Sequence, residues 1–88
     1  MTKIDLDARE LEHPKPLEMS MKILHHLDDT SYLYMIHRKN PIPLIDFAKG
    51  LKLQIVSKED TQQIWHILIS PNQDTDLHAY LSPEAFGV

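Results

Sequence analysis

The spacing of hydrophobic and polar positions along the chain predicts short strands that alternate with helices. Residues 4–7 alternate between apolar and polar side chains, which is typical of a strand with one buried face. Residues 17–27 place apolar side chains at the i, i+3, i+4 and i+7 positions of a broad helical stripe. A continuous apolar and aromatic run at 32–36 has the length of a central strand, and the helical spacing returns at 44–51. This half of the chain therefore predicts two successive βα units.

The rest of the chain predicts a hairpin followed by a tail. Apolar side chains at 53–56 mark a third strand, residues 58–62 form a polar connection, and 63–69 form a fourth strand. Because short βα units favour parallel strands with right-handed crossovers, both helices should lie on the same face of the sheet. We therefore predict the order βαβαββ and a two-layer α/β sandwich, with two helices on one face of a four-stranded mixed sheet. Residues 1–71 would form this domain, and residues 72–88 a C-terminal tail that is either flexible or packed on the sheet.

Two Pro-x-Pro pairs mark the predicted helix starts. Pro14 and Pro16 precede the first apolar stripe, and Pro41 and Pro43 repeat the arrangement 27 residues later. Proline suits the first helical turn, because its missing N–H would have no partner there and its fixed φ fits the helix. We take Pro16 as the first residue of the first helix and place Lys15 just outside it, since a residue before proline favours extended backbone.

Composition narrows the chemistry. The 88 residues allow a single small domain, and no apolar run approaches the roughly 18–20 residues of a membrane span. The first residues lack the apolar region of a signal peptide, so we expect a cytoplasmic protein that does not enter a membrane. A net charge of −4 argues against general nucleic-acid binding, although the segment 31–58 carries five basic residues and one acidic residue. The chain has no cysteine, which excludes thiolate, disulfide and persulfide chemistry.

A group of polar side chains follows the first two predicted strands. If these strands are parallel, their carboxyl ends lie at one edge of the sheet and both helix N-termini converge there, at the usual ligand edge of open α/β sheets. Helix N-termini with nearby cations favour an anion. The alternative is that these are solvated loop residues whose prolines only fix the turns. The candidate ligand-binding residues are His13, Lys15, His37, Arg38, Lys39 and Asn40.

The histidines allow a second interpretation, in which His13, His37 and His66 hold a metal or a haem. Their spacing does not support it well, because the chain has no His-x-x-x-His pair. Catalytic signatures are also missing: no serine lies in a nucleophile elbow, and two glycines cannot build a phosphate-binding loop. The sequence thus favours a binding module without a cofactor over an enzyme.

The sheet face away from the helices should carry apolar side chains, because the second and fourth strands are apolar at both alternating positions. Such a face would be a surface for a protein partner or a second copy of the chain, or the seat of the tail. The side chains expected there are Tyr32, Tyr34, Ile36, Ile64 and Leu68, or the opposite set.

Several short motifs carry a resemblance to a known family. They are Leu6-Asp7-Ala8-Arg9, Leu11, His13-Pro14-Lys15-Pro16-Leu17-Glu18 and Arg38-Lys39-Asn40-Pro41-Ile42-Pro43-Leu44. From about residue 4 to residue 70 the chain resembles the bacterial family called domain of unknown function 2249. That family in turn resembles the TusA-like (SirA-like) sulfur carriers, which implies a βαβαββ sandwich. Members of the family occur beside hemerythrin-like and nitrogen-oxide-related proteins. Under the metal or haem alternative, the resemblance therefore implies a redox accessory domain.

The resemblance also excludes the carriers' own chemistry. In them a Cys-Pro-x-Pro motif opens the first helix and its cysteine carries the persulfide, whereas here His13 stands in the place of that cysteine. Imidazole cannot hold a persulfide for transfer, so sulfur relay is rejected. We expect a small non-enzymatic binding or interaction module on a TusA-like scaffold. Its occupant would be a small anionic ligand or a protein partner, held at the converging helix N-termini.

Overall fold

The computed structural model describes residues 1–86, and its regular elements follow the predicted order βαβαββ. Each Pro-x-Pro pair lies at the start of a helix, and each strand overlaps one of the segments predicted as strands. The order and the class of fold predicted from hydrophobic spacing are therefore confirmed. The elements are β1 (Thr2–Asp7), α1 (Lys15–Leu24), β2 (Ser31–His37), α2 (Ile42–Gly50), β3 (Gln54–Glu59) and β4 (Trp65–Ser70), followed by two short 3₁₀ helices at Leu77–Tyr80 and Pro83–Phe86.

The four strands form one mixed sheet in the spatial order β1-β2-β4-β3. β1 and β2 are parallel, with Leu6 opposite Met35 and Asp7 opposite Ile36, while β4 pairs antiparallel with both β2 and β3. The parallel pairing means that β1 and β2 end at the same edge of the sheet. The chain enters both helices from this edge, as predicted.

Both helices begin at the middle residue of their Pro-x-Pro pair. The N–H of Glu18 donates to the carbonyl of Pro14, and the N–H of Ile45 donates to the carbonyl of Pro41, so each first proline supplies the acceptor of the first helical bond. Lys15 is consequently the first residue of α1, and its placement just outside the helix was wrong by one position. Lys15 is helical despite the proline that follows it, because the first helical hydrogen bond, from Glu18 to Pro14, encloses Lys15. The helix therefore begins one residue earlier than the extended preference of a residue before proline suggested.

Alternation along the central strand divides the apolar side chains between two clusters. Leu33 and Met35 lie on the helix side with Leu44 of α2, and all three are almost fully buried. Burying each such side chain contributes about 1.5–3 kcal/mol relative to exposure. The neighbouring residues Tyr32 and Tyr34 belong to a second cluster on the other side of the sheet.

The C-terminal tail covers this second side. Leu77 is completely buried against the sheet, and the ring of Tyr80 lies 4.9 Å from that of Tyr32. The side-chain amide nitrogen of Gln54, Nε2, donates to the backbone carbonyls of Asn72 and Thr75, both at 2.7 Å. These two hydrogen bonds fix the path of the tail. The sequence left open whether the tail is flexible or packed, and up to residue 86 it is packed. The apolar sheet face is thus covered by the chain itself.

Within residues 1–86, neither α-helix has the length and apolar character that crossing a membrane requires.

Candidate functional site

A cleft of about 540 Å³ opens at the edge where β1 and β2 end and both helices begin. Its walls are the β1–α1 and β2–α2 loops together with the first turns of the helices. The parallel pairing of β1 and β2 creates this arrangement, because it brings two loop-to-helix entries side by side. The cleft is lined by Arg9, Glu10, Leu11, Glu12, His13, Pro16, Leu17, Met35, His37, Arg38, Lys39, Asn40, Pro41, Pro43 and Leu44.

Five of the six candidate ligand-binding residues line the cleft, namely His13, His37, Arg38, Lys39 and Asn40. The sixth, Lys15, is exposed at the start of α1 and is not part of the lining, a statement that covers the described residues 1–86. Of the four motif prolines, three line the cleft, and Pro14 instead supplies the first helical acceptor of α1.

From the β1–α1 loop the prediction included only His13, whereas Arg9, Glu10, Leu11 and Glu12 of the same loop also line the cleft. These residues follow β1 as Arg38 and its neighbours follow β2. Both loops follow strands that end at the same edge of the sheet, so the signal for all of these residues was present in the sequence.

Arg9 is held by a carboxylate of its own loop. Its Nε and Nη2 atoms donate to the two carboxylate oxygens of Asp7 at 2.9 and 2.7 Å, and its backbone N–H donates to the same side chain. These hydrogen bonds lower the pKa of Asp7 to about 2 and raise that of Arg9. The side of the Arg9 guanidinium formed by Nε and Nη2 is therefore already occupied by a carboxylate.

Arg38 is held more loosely, and by the opposite loop. One nitrogen, Nη2, lies 3.1 Å from one carboxylate oxygen of Glu10, so the pair connects the β2–α2 loop to the β1–α1 loop across the cleft. Both side chains are well exposed, and exposed pairs of this kind contribute little to stability. Most of the guanidinium donors of Arg38 thus stay available.

His37 is a half-buried imidazole whose tautomer is set by its neighbour. The backbone N–H of Lys39 donates to His37 Nδ1 at 3.2 Å. Burial lowers the pKa of His37, and the charge of Lys39 lowers it further, so the ring is neutral near pH 7. A neutral ring that accepts at Nδ1 carries its proton at Nε2. His37 therefore offers an uncharged N–H donor.

The helix starts and Asn40 complete the arrangement. No side chain within residues 1–86 caps the N-terminus of either helix, so the partial positive charge of two first turns borders one cavity. Asn40 accepts a hydrogen bond from Ser57 Oγ at 2.9 Å, which ties the β2–α2 loop to β3. The loop that carries Arg38 and Lys39 is thus anchored at its far end.

His66 lies away from the cleft, on the side of the sheet that the tail covers. Its Nδ1 is 2.7 Å from the hydroxyl of Tyr34, and its Nε2 is 2.8 Å from a carboxylate oxygen of Asp60. The three histidines of the metal interpretation are therefore not brought together. Nor does any group of three or more His, Cys, Asp or Glu side chains in the part of the chain described have the arrangement to hold a metal ion.

The fold and the cleft define a class of protein: a small two-layer α/β domain with a ligand-sized cleft where two helices start. The chain belongs to the family described as "Uncharacterized conserved protein (DUF2249)", whose model matches residues 5–71. This match confirms the family resemblance drawn from the Pro-x-Pro motifs. No curated protein and no solved structure matches the chain. The further likeness to TusA-like carriers stays a prediction.

Proposed function

We propose that this protein is a non-enzymatic binding module that holds a small anionic ligand, or an anionic group of a protein partner, in the cleft. The observation that carries the proposal is the meeting of two uncapped helix starts with cationic and N–H donor side chains around one cavity. Helix N-termini attract negative charge, and nearby cations strengthen the attraction.

The size and charges of the cleft support this proposal. A volume of about 540 Å³ falls within the range of roughly 300–1,000 Å³ that small-molecule sites occupy. Three cationic side chains line it against the carboxylates of Glu10 and Glu12. Asp7 occupies the Nε and Nη2 side of Arg9, whereas Arg38 uses one nitrogen on Glu10 and Lys39 forms no ion pair within residues 1–86, so Arg38 and Lys39 have more donors to give. The preference for an anion then rests on these two residues, His37 and the helix starts.

The chain's own chemistry favours binding over sulfur transfer. His13 lines the cleft at the position where the sulfur carriers it resembles have their cysteine, and the sequence holds no cysteine elsewhere. An imidazole at a helix start can accept or donate a hydrogen bond but cannot carry a persulfide.

The geometry of His37 weighs against the metal or haem alternative. Metal-binding histidines usually donate the N–H of their second ring nitrogen to an acceptor. Here the second nitrogen, Nδ1, accepts the backbone N–H of Lys39, so coordination through Nε2 would place a proton against another N–H. An anion, by contrast, accepts the Nε2 proton without any change of tautomer.

Titration followed by amide NMR tests the proposed function. Phosphate and small carboxylates should shift the amide signals of the two loops that form the cleft. Lys39→Gln should weaken binding by about two- to fivefold, the value of one exposed charge pair, while Lys49→Gln should leave it unchanged. Lys49 is the matched control because it is an exposed lysine at the far end of α2. The proposal fails if no anion shifts the cleft signals, or if the two variants weaken binding equally.

A further inference from the structure

We propose that the ligand is a small organic carboxylate with an apolar body, and that Arg38 takes its carboxylate in exchange for Glu10. This inference rests on the proposed function, and it adds the class of ligand and the way the site admits it. Three features carry it: the apolar wall of the cleft, the different engagement of its two arginines, and the ion pair between its two loops.

Much of the surface that the cleft offers is apolar. Leu11 and Leu17 are half-buried, Pro41 is half-buried and Pro43 is exposed, so parts of all four side chains stay accessible while they line the cavity. A hydrated inorganic anion gains nothing from such a wall. An organic acid does, because each methylene that leaves water on binding improves affinity by roughly fourfold.

The two arginines differ in what they can still donate. Arg9 uses two nitrogens on both oxygens of Asp7, whereas Arg38 uses one nitrogen on one oxygen of Glu10. A guanidinium binds a carboxylate best through two parallel N–H donors. Arg38 is therefore the residue that a ligand carboxylate would engage, and His37 supplies a further, uncharged N–H on the same lining.

Glu10 presents to Arg38 the same chemical group as the proposed ligand. The Glu10 side chain is 86% exposed and its single hydrogen bond joins the two loops across the cleft, so the contact is easily exchanged. A ligand carboxylate that binds Arg38 would displace Glu10 into water and leave the charge of Arg38 compensated. Glu10 thus acts as an internal competitor that a ligand must replace.

A matched series of probes tests both parts of the inference by amide NMR titration. Isovalerate has the carboxylate and an apolar body, isovaleramide keeps the body without the charge, acetate keeps the charge with little body, and phosphate has neither carboxylate nor body. Isovalerate should bind at least about tenfold more tightly than isovaleramide and acetate. Arg38→Gln should remove most of this preference for isovalerate over isovaleramide.

Two acidic variants test the competition. Glu10→Gln should tighten isovalerate binding by about two- to fivefold, the range of one exposed ion pair. Glu12→Gln is the control, because it removes the same charge from the same lining, yet Glu12 forms no ion pair within the described residues. Equal tightening in both variants would overturn the role of Glu10.

The outcomes separate this inference from the proposed function. If phosphate shifts the cleft signals and isovalerate does not, the proposed function stands and the carboxylate assignment is overturned. If isovaleramide binds as well as isovalerate, the assignment of Arg38 is overturned. If no probe shifts these signals in a variant or in the wild type, both proposals fail.

Discussion

Replacement of Tyr34 by phenylalanine tests the chain of hydrogen bonds that joins the tail to the sheet. The neutral His66 tautomer that donates Nε2–H to the Asp60 carboxylate accepts the hydroxyl proton of Tyr34 at Nδ1. The Tyr34 oxygen in turn accepts the backbone N–H of Ser82 at 3.0 Å. Tyr34 is only 4% exposed and His66 only 6%, so water cannot replace the hydroxyl without rearrangement.

The cost follows from what the missing hydroxyl leaves behind. A buried polar group without a partner costs about 1–3 kcal/mol, and His66 Nδ1 would be one. The backbone N–H of half-buried Ser82 can donate to water if the tail loosens, so its lost hydrogen bond adds less to the cost. We expect Tyr34→Phe to lower the free energy of unfolding by about 2 kcal/mol. In a urea titration monitored by Trp65 fluorescence, the midpoint should fall by on the order of 1–2 M.

Tyr32→Phe provides the control for this experiment. Tyr32 lies on the same strand and face and is equally buried, but its hydroxyl makes no hydrogen bond within residues 1–86. Its loss should change stability by less than about 0.5 kcal/mol. Equal effects of the two substitutions would refute the reasoning, because they would show that the Tyr34 hydroxyl adds nothing beyond the packing of its ring.

Three further predictions concern acid, the tail and metals. The hydrogen bond from His66 holds the pKa of Asp60 below its ordinary value. The ionised Asp60 carboxylate therefore contributes its full stabilisation above the pKa of Asp60 in the unfolded chain, and this stabilisation is lost as pH falls through the lower pKa of the folded protein. Urea midpoints should therefore decline below about pH 4 in the wild type and less steeply in Asp60→Asn. Leu77→Ala should cost about 2–5 kcal/mol in urea unfolding, and Leu81→Ala less, because Leu77 is completely buried and Leu81 is not. Zinc should leave the ring signals of His37 unshifted in NMR spectra, and a shift that saturates at one equivalent would contradict the tautomer argument.

The helix entries could be predicted from sequence because their causes are local. A proline pair fixes backbone geometry over three residues, and the apolar period that follows determines which side of the helix is buried. Pro16 consequently marked the start of α1 to within one residue, and the second Pro-x-Pro pair lies at the start of α2. His37, Arg38 and His13 line one cleft because the parallel pairing of β1 and β2 brings the loops that follow these strands to the same edge of the sheet.

The network around His66 could not be predicted in the same way. Its members come from β2, the β3–β4 turn, β4 and the tail, and the bond between Tyr34 and His66 spans 32 residues. Periodicity gives the face of a strand on which a side chain lies, but not the partner that crosses to it from another element. The position of Glu10 in the cleft lining was missed for a different reason, because residues 8–12 were treated only as the connection after β1.

The tail extends the packed structure beyond the region that the family model matches. The family match stops at residue 71, yet Leu77 fills the second apolar cluster and Ser82 donates to the Tyr34 hydroxyl. A protein shortened to the matched region would uncover a patch of tyrosine, valine and leucine on one face of the mixed sheet, and such an exposed apolar patch is prone to self-association. Residues 72–86 therefore cover the face of the two-layer domain opposite the helices, and they keep the apolar side chains of that face out of water.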